Sequence, residues 1–156
     1  MYRKKFYKCD CCDCEPEDVF GNVEDAIRRI KDGRKDILHG LHLICCCCRI
    51  CEGIRCIERG ICKIEKGLAE LVDGLKCFEF ECDYKNDSNI KAGICGVKDA
   101  LHCLKKGLCQ LQNCCLCDGI ESIQCGLQYL DEALCYLEKG VGDMKCQKES
   151  WRKGCC

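Results

Sequence analysis

Apolar residues recur along this chain with a period of seven. The stretch GIRCIER-GICKIEK-GLAELVD-GLKCFEF, from Gly53 to Phe80, shows the pattern most plainly. Lettering its glycine position a gives a template with a small residue at a and large apolar residues at b and e. The template fits four blocks of four heptads, starting at Val19, Gly53, Asn86 and Gly119, so the blocks are offset by 34, 33 and 33 residues. All 16 e positions are apolar, and 14 of 16 b positions are, with Arg34 and Asp87 as the exceptions. Gly or Ala fills 14 of the 16 a positions, the exceptions being Val19 and Asn86.

On a helix, a, e and b fall within roughly 100° of one another, a single apolar stripe, while c, f and g lie opposite and carry most of the charge. The pattern predicts an all-α fold of four amphipathic helices near residues 17–44, 50–80, 88–113 and 118–146. Their internal repeat is about 33 residues, and short connections make neighbours antiparallel, as in a four-helix bundle with Gly/Ala heptad positions. Four heptads span ~42 Å, and a strict period of seven implies mild left-handed supercoiling. The periodicity is equally compatible with one closed bundle and with an open pair of hairpins. The chain divides into a cysteine-rich N-terminal segment (1–16), the repeat domain (17–146) and a C-terminal tail with a terminal Cys pair (147–156).

Helix-end signals agree with these bounds. Pro16 suits a first turn, with Glu17 and Asp18 on the favourable side of the helix dipole. Asp87 or Ser88 is a candidate cap for the third helix, and Asp118 with Glu121 resembles a capping box for the fourth. Eleven of the 15 glycines occupy position a inside the expected helices. Each costs ~1 kcal/mol of helix propensity relative to Ala, so close backbone approach between helices has to offset the loss.

Composition changes the picture in one respect. Cysteine accounts for 24 of the 156 residues, well above the ~8–10 % that marks a cysteine scaffold. Without Cys the apolar residues still number 50, and 33 of them are Ile, Leu or Val, so the core does not need the thiols. One Pro, three Ser and no Thr fit long helices better than many strands. Twenty-five basic side chains against 26 acidic ones give no basic excess for nucleic acid and no charge block for a membrane surface. The N-terminus, MYRKKFYKCDCCDCEPED, has no signal-peptide apolar run, and no stretch is long and apolar enough to span a bilayer.

The cysteines form two populations. One gathers at expected helix ends: Cys9, Cys11, Cys12 and Cys14; Cys45, Cys46, Cys47, Cys48 and Cys51; Cys82; Cys114, Cys115 and Cys117; Cys155 and Cys156. In an up-down bundle the 45–51 and 114–117 clusters share one end, and the 9–14, 82 and 155–156 groups share the other. The other population lies within helices. Cys62, Cys95, Cys109 and Cys135 occupy position c and Cys125 and Cys146 position g, nearly opposite the apolar stripe. Cys56, Cys77 and Cys103 occupy d, on its shoulder. Free Cys normally behaves as a small buried hydrophobe, so placement outside the stripe suits thiols that meet a neighbouring molecule rather than one another.

Three chemistries fit such a chain. Copper storage lines a bundle interior with thiolates, whereas this stripe is hydrocarbon. Zinc needs two C-x-x-C pairs in register, which Cys45/Cys48 and Cys114/Cys117 at one bundle end would supply. Intermolecular disulfides need thiols at the ends and outer faces, where the helix-end cysteines and Cys62, Cys95, Cys109, Cys125, Cys135 and Cys146 fall. The last reading requires no cofactor; zinc or copper belongs to the alternative, a metal-thiolate protein. His39, His42 and His102 read as solvated helix-face residues, the first two near enough to the Cys45 cluster to join a metal site. Ser88, Ser122 and Ser150 have no nucleophile context and no glycine loop cradles phosphate, so an enzyme is not expected.

The motifs CDCCDCEPED and CCCCRIC, set among heptad helices, resemble the small cysteine-rich exosporium proteins of clostridial spores. The resemblance implies a structural protein made in the mother-cell cytoplasm without a signal peptide, self-assembling around the forespore and hardened by disulfides after release. It implies a spore-surface location in the exosporium or outer coat. The implied partners are further copies of the chain, in a homo-oligomer or lattice, and other cysteine-rich spore-surface proteins.

Overall fold

The computed structural model describes residues 16–78 and 88–152, with side chains over 21–76 and 88–146. Four helices fill them: α1 (Pro16–Cys47), α2 (Ile50–Phe78), α3 (Ser88–Gln112) and α4 (Leu116–Arg152). The described residues hold no strand, and the fold is all-α. Cys9, Cys11, Cys12, Cys14, Cys82, Asp87, Cys155 and Cys156 lie outside the described residues.

The e positions make the core. All fifteen described e residues are buried, from Val23 to Met144, and most have no exposed surface. Eleven of them sit over a glycine of the adjacent antiparallel helix. Built on Gly60, a Cβ would lie 2.6 Å from Cγ1 of Ile37; on Gly33, 2.7 Å from Cγ1 of Ile64. The same knob-on-glycine contact runs through α3 and α4, where Gly126 meets Leu104 and Gly107 meets Ile123. The glycines therefore do what the propensity loss required. The helix backbones touch at Gly33 and Gly60, where an added Cβ on either would stand 2.5 Å from the other's carbonyl oxygen.

Two tight hairpins result, α1 with α2 and α3 with α4, and they close on each other into one bundle. A single apolar cluster takes buried residues from all four helices, among them Ile30, Ile57, Leu104 and Leu130. Ion pairs lace the seams between hairpins: Lys31 with Glu138, Arg34 with Asp131 and Lys145 with Glu24 join α1 to α4. Lys105 with Glu65 at 2.9 Å joins α2 to α3. Arg34, the polar exception at b, owes its place to this seam: its side chain is 33 % exposed and reaches the Asp131 carboxylate.

Helix ends depart from expectation by one to three residues at most places, with α1 running on to Cys47 and α2 described to Phe78, and by most at the end of α4. α4 starts at Leu116, so Asp118 lies inside the first turn, not at a cap position, where its charge still faces the positive end of the dipole. α4 also runs six residues past 146, through a Gln-Lys-Glu stretch whose helix propensity carries it beyond the last apolar e position.

Candidate functional site: the exposed thiols

The described residues include sixteen cysteines with defined side chains, and no disulfide joins any two of them. Fourteen are exposed, only Cys56 and Cys103 are half-buried, and none enters the core. Exposure follows heptad position. Cys62, Cys95, Cys109 and Cys135 at c and Cys125 and Cys146 at g face outward, while Cys56 and Cys103 at d sit on the shoulder of the apolar stripe.

Antiparallel topology places Cys45, Cys46, Cys47, Cys48 and Cys51 at the same bundle end as Cys114, Cys115 and Cys117, and all eight are exposed. Gln112 Nε2, beside the second group, donates to Glu58 Oε1 of α2 at 2.7 Å. Both turns at this end are built around a cysteine in the left-handed region: Cys48 has φ 54° and Cys114 has φ 64°. Past Cys48, the Arg49 N–H closes on the Leu43 carbonyl at 2.9 Å, a bond that helix C-termini commonly form after a glycine. Past Cys114, the Cys115 N–H bonds the Gln110 carbonyl at 2.9 Å.

Among the described residues, no group of three or more His, Cys, Asp or Glu side chains is arranged to hold a metal ion. Cys45, Cys48, Cys114 and Cys117 share an end without forming a ligand set, and His39, His42 and His102 are exposed. No helix among the described residues is long and apolar enough to cross a membrane.

An open groove on the flank of the second hairpin is lined by Cys103, Lys106 and Gln110 of α3 and by Asp118, Glu121, Ser122 and Cys125 of α4. Ser122 Oγ donates to Gln110 Oε1 across it at 2.7 Å. Burial pushes the Cys103 thiol above its ordinary value; the neighbouring Cys125 thiol adds to the rise, and the Lys106 charge opposes it. Periodicity alone missed this pair, because positions d and g differ by three residues on one helix and nothing in a single helix's pattern brings the d of α3 beside the g of α4. At the corresponding place in the first hairpin Asp36 meets Arg59 and Lys63, at 3.3 and 2.8 Å. Burial would raise the Asp36 carboxyl, but hydrogen bonding and charge from Lys63, then Arg59, outweigh it and hold it below its ordinary value.

Comparison with known proteins gives no match to a family model, a curated protein or a solved structure.

Proposed function

We propose that this chain is a structural building block that self-assembles and is cross-linked by intermolecular disulfides into an outer spore layer. The observation that carries the reading is the segregation of thiols from core: fourteen of sixteen described cysteines are exposed, while the core is hydrocarbon packed on glycine with no thiol in it. A bundle that needs no internal staple presents its thiols to neighbours. Each link joins two thiols of different copies, with two electrons and two protons passing to an oxidant such as a small-molecule disulfide or dioxygen.

Local geometry supports the division of labour. Cys45, Cys46 and Cys47 lie in the last turn of α1, about 100° apart around the axis. They point in different directions, and vicinal cysteines bond each other only with strain. Such a cluster engages several neighbours, which favours a sheet or lattice over a dimer. The spore setting rests on the resemblance of the cysteine motifs, and the partners proposed are further copies of the chain and other cysteine-rich surface proteins.

Purified protein, assembled with and without thiol reductant, tests the proposal by non-reducing electrophoresis, metal analysis of the same sample and imaging. Expected are high-mass species that collapse to a 17.7 kDa monomer with reductant, ordered arrays, and no stoichiometric metal. Monomers indifferent to reductant and carrying stoichiometric zinc or copper would overturn it in favour of a metal-thiolate protein.

A further inference from the structure

Cys103 and Cys125 are set apart from the other thiols. They line one groove from opposite sides, one on α3 and one on α4. The backbones are in contact on both flanks of the pair. A Cβ added to Gly107 would lie 3.0 Å from the Gly119 carbonyl oxygen, and one added to Gly126 would lie 3.1 Å from that of Ala100. Helices at the usual ~8–10 Å separation hold flanking side chains apart. Glycine contact draws these helices closer, into the range where two short side chains meet.

The internal repeat gives an independent view of the same place. Subtracting the block offsets maps Cys103 onto Asp36 and Cys125 onto Arg59. Those two residues touch across the first hairpin, Arg59 Nε to Asp36 Oδ2 at 3.3 Å. One position of the fold thus joins its two helices by an ion pair in the first hairpin and presents two thiols in the second.

We propose that Cys103 and Cys125 form an internal disulfide tying α3 to α4, by exchange with a small-molecule disulfide, and are thereby withdrawn from the thiols that link copies. The exposed Cys125 attacks first. Its thiolate displaces one thiol from the small disulfide and leaves a mixed disulfide on Cys125. The half-buried Cys103 then gives up its proton and attacks Cys125 Sγ, expelling the second small thiol. The balance is one small disulfide and two protein thiols giving one protein disulfide and two small thiols. Cys103 retains its proton more firmly than an ordinary thiol, which suits the resolving role, and Lys106 beside the pair favours the thiolate when it forms. The inference holds whether or not the outer thiols cross-link copies.

The test uses the full chain in a glutathione redox buffer, with monomers separated from larger species before thiols are blocked. Digestion after Lys and Arg, and then after Glu, isolates fragment 99–105 with Cys103 as its only cysteine and fragment 122–132 with Cys125 as its only cysteine. Expected is the linked pair of fragments in oxidised monomers, with a melting temperature roughly 5–10 °C above that of the reduced protein. The gain should be absent in Cys103→Ser and in Cys125→Ser. In Cys103→Ser, a glutathione adduct should accumulate on Cys125, and in Cys125→Ser no adduct should form on Cys103. Oxidised monomers lacking the linked fragments would overturn the inference, as would recovery of the linked fragments from oligomers alone. Neither result depends on a variant that folds.

Discussion

Gly60 and Gly142 lie in helices under opposite constraints, and the difference sets a measurable sign. At Gly142 an added methyl meets nothing within 4 Å. Gly142→Ala therefore keeps the helix-propensity gain and should stabilise the reduced protein by about 0.5–1 kcal/mol. At Gly60 the methyl would stand 2.5 Å from the Gly33 carbonyl oxygen, a backbone atom that moves only if the helices part. Gly60→Ala should destabilise by about 1–3 kcal/mol, the usual range for overpacking, despite the better propensity of Ala. Chemical denaturation of both variants under reducing conditions reads the two signs, and a stabilising Gly60→Ala would refute backbone contact as the reason for the glycine. Asp36 makes a prediction in pH. Its carboxyl is held below its ordinary value of 3.8, so its charged form is favoured in the folded state. The resulting stability is present above that value and lost as pH falls through the lowered one. The side chain is only 21 % exposed, so solvent screening is partial. Wild type should exceed Asp36→Asn in melting temperature at neutral pH, with the gap closing on acidification; a gap independent of pH would refute the assignment.

At the scale of the helix, the ends repay inspection. Helix C-termini favour glycine in the left-handed region because a Cβ there costs ~1–2 kcal/mol. This chain has 15 glycines, yet cysteine fills both such positions identified among the described residues with a side chain, Cys48 and Cys114. Cys48→Gly should accordingly raise the stability of the reduced protein by about 1 kcal/mol while weakening cross-linking through that end. Denaturation paired with a non-reducing gel checks both, and a neutral or destabilising substitution would show that the turn bears no strain. The helices themselves were legible in the heptads because a stripe of e, a and b residues defines a face, and the burial of Ile30, Ile64, Leu104 and Leu130 follows from it. The direction in which Cys62 and Cys135 face followed from the same arithmetic. Partners across a seam were not legible. Arg34 stood out only as an exception, since Asp131 lies on another helix 97 residues away. Cys125 at g was expected to meet a neighbouring molecule; its approach to Cys103 depends on how closely α3 and α4 lie, and heptad counting carries no interhelix distance. The reach of α4 to Arg152 escaped for a third reason, because its last turns follow propensity instead of apolar period.

At the scale of the molecule, the thiols of the described residues are unevenly spread, and the unevenness predicts how covalent growth through them proceeds. Eight of the fourteen exposed described cysteines sit at one end of the bundle. The lateral ones, Cys62, Cys95, Cys109, Cys125, Cys135 and Cys146, belong to α2, α3 and α4. Over residues 21–44, α1 carries no cysteine at all. Its outward face instead spends charge on neighbouring helices, through Arg29 with Glu70 at 2.8 Å and Lys31 with Glu138. Such exposed pairs contribute only ~0–1 kcal/mol each, so they specify which helices adjoin more than they hold them. Among the described residues a copy thus offers one densely reactive end, thiols spread thinly over α2, α3 and α4, and an α1 face over 21–44 without any. Cross-linking through the described thiols should therefore depend chiefly on this end. Serine at Cys45, Cys46, Cys47, Cys48, Cys51, Cys114, Cys115 and Cys117 should remove most of the high-mass material seen on a non-reducing gel after oxidation. Serine at Cys62, Cys95, Cys109, Cys135 and Cys146 should remove less of it while loosening lateral order in imaged arrays. Both variants keep the eight cysteines that lack a defined side chain and the core that folds the bundle, so circular dichroism should show unchanged helix content in each. If the side-face variant lost the greater share of covalent polymer, growth would run through the flanks of the helices, and the dense end would need another explanation.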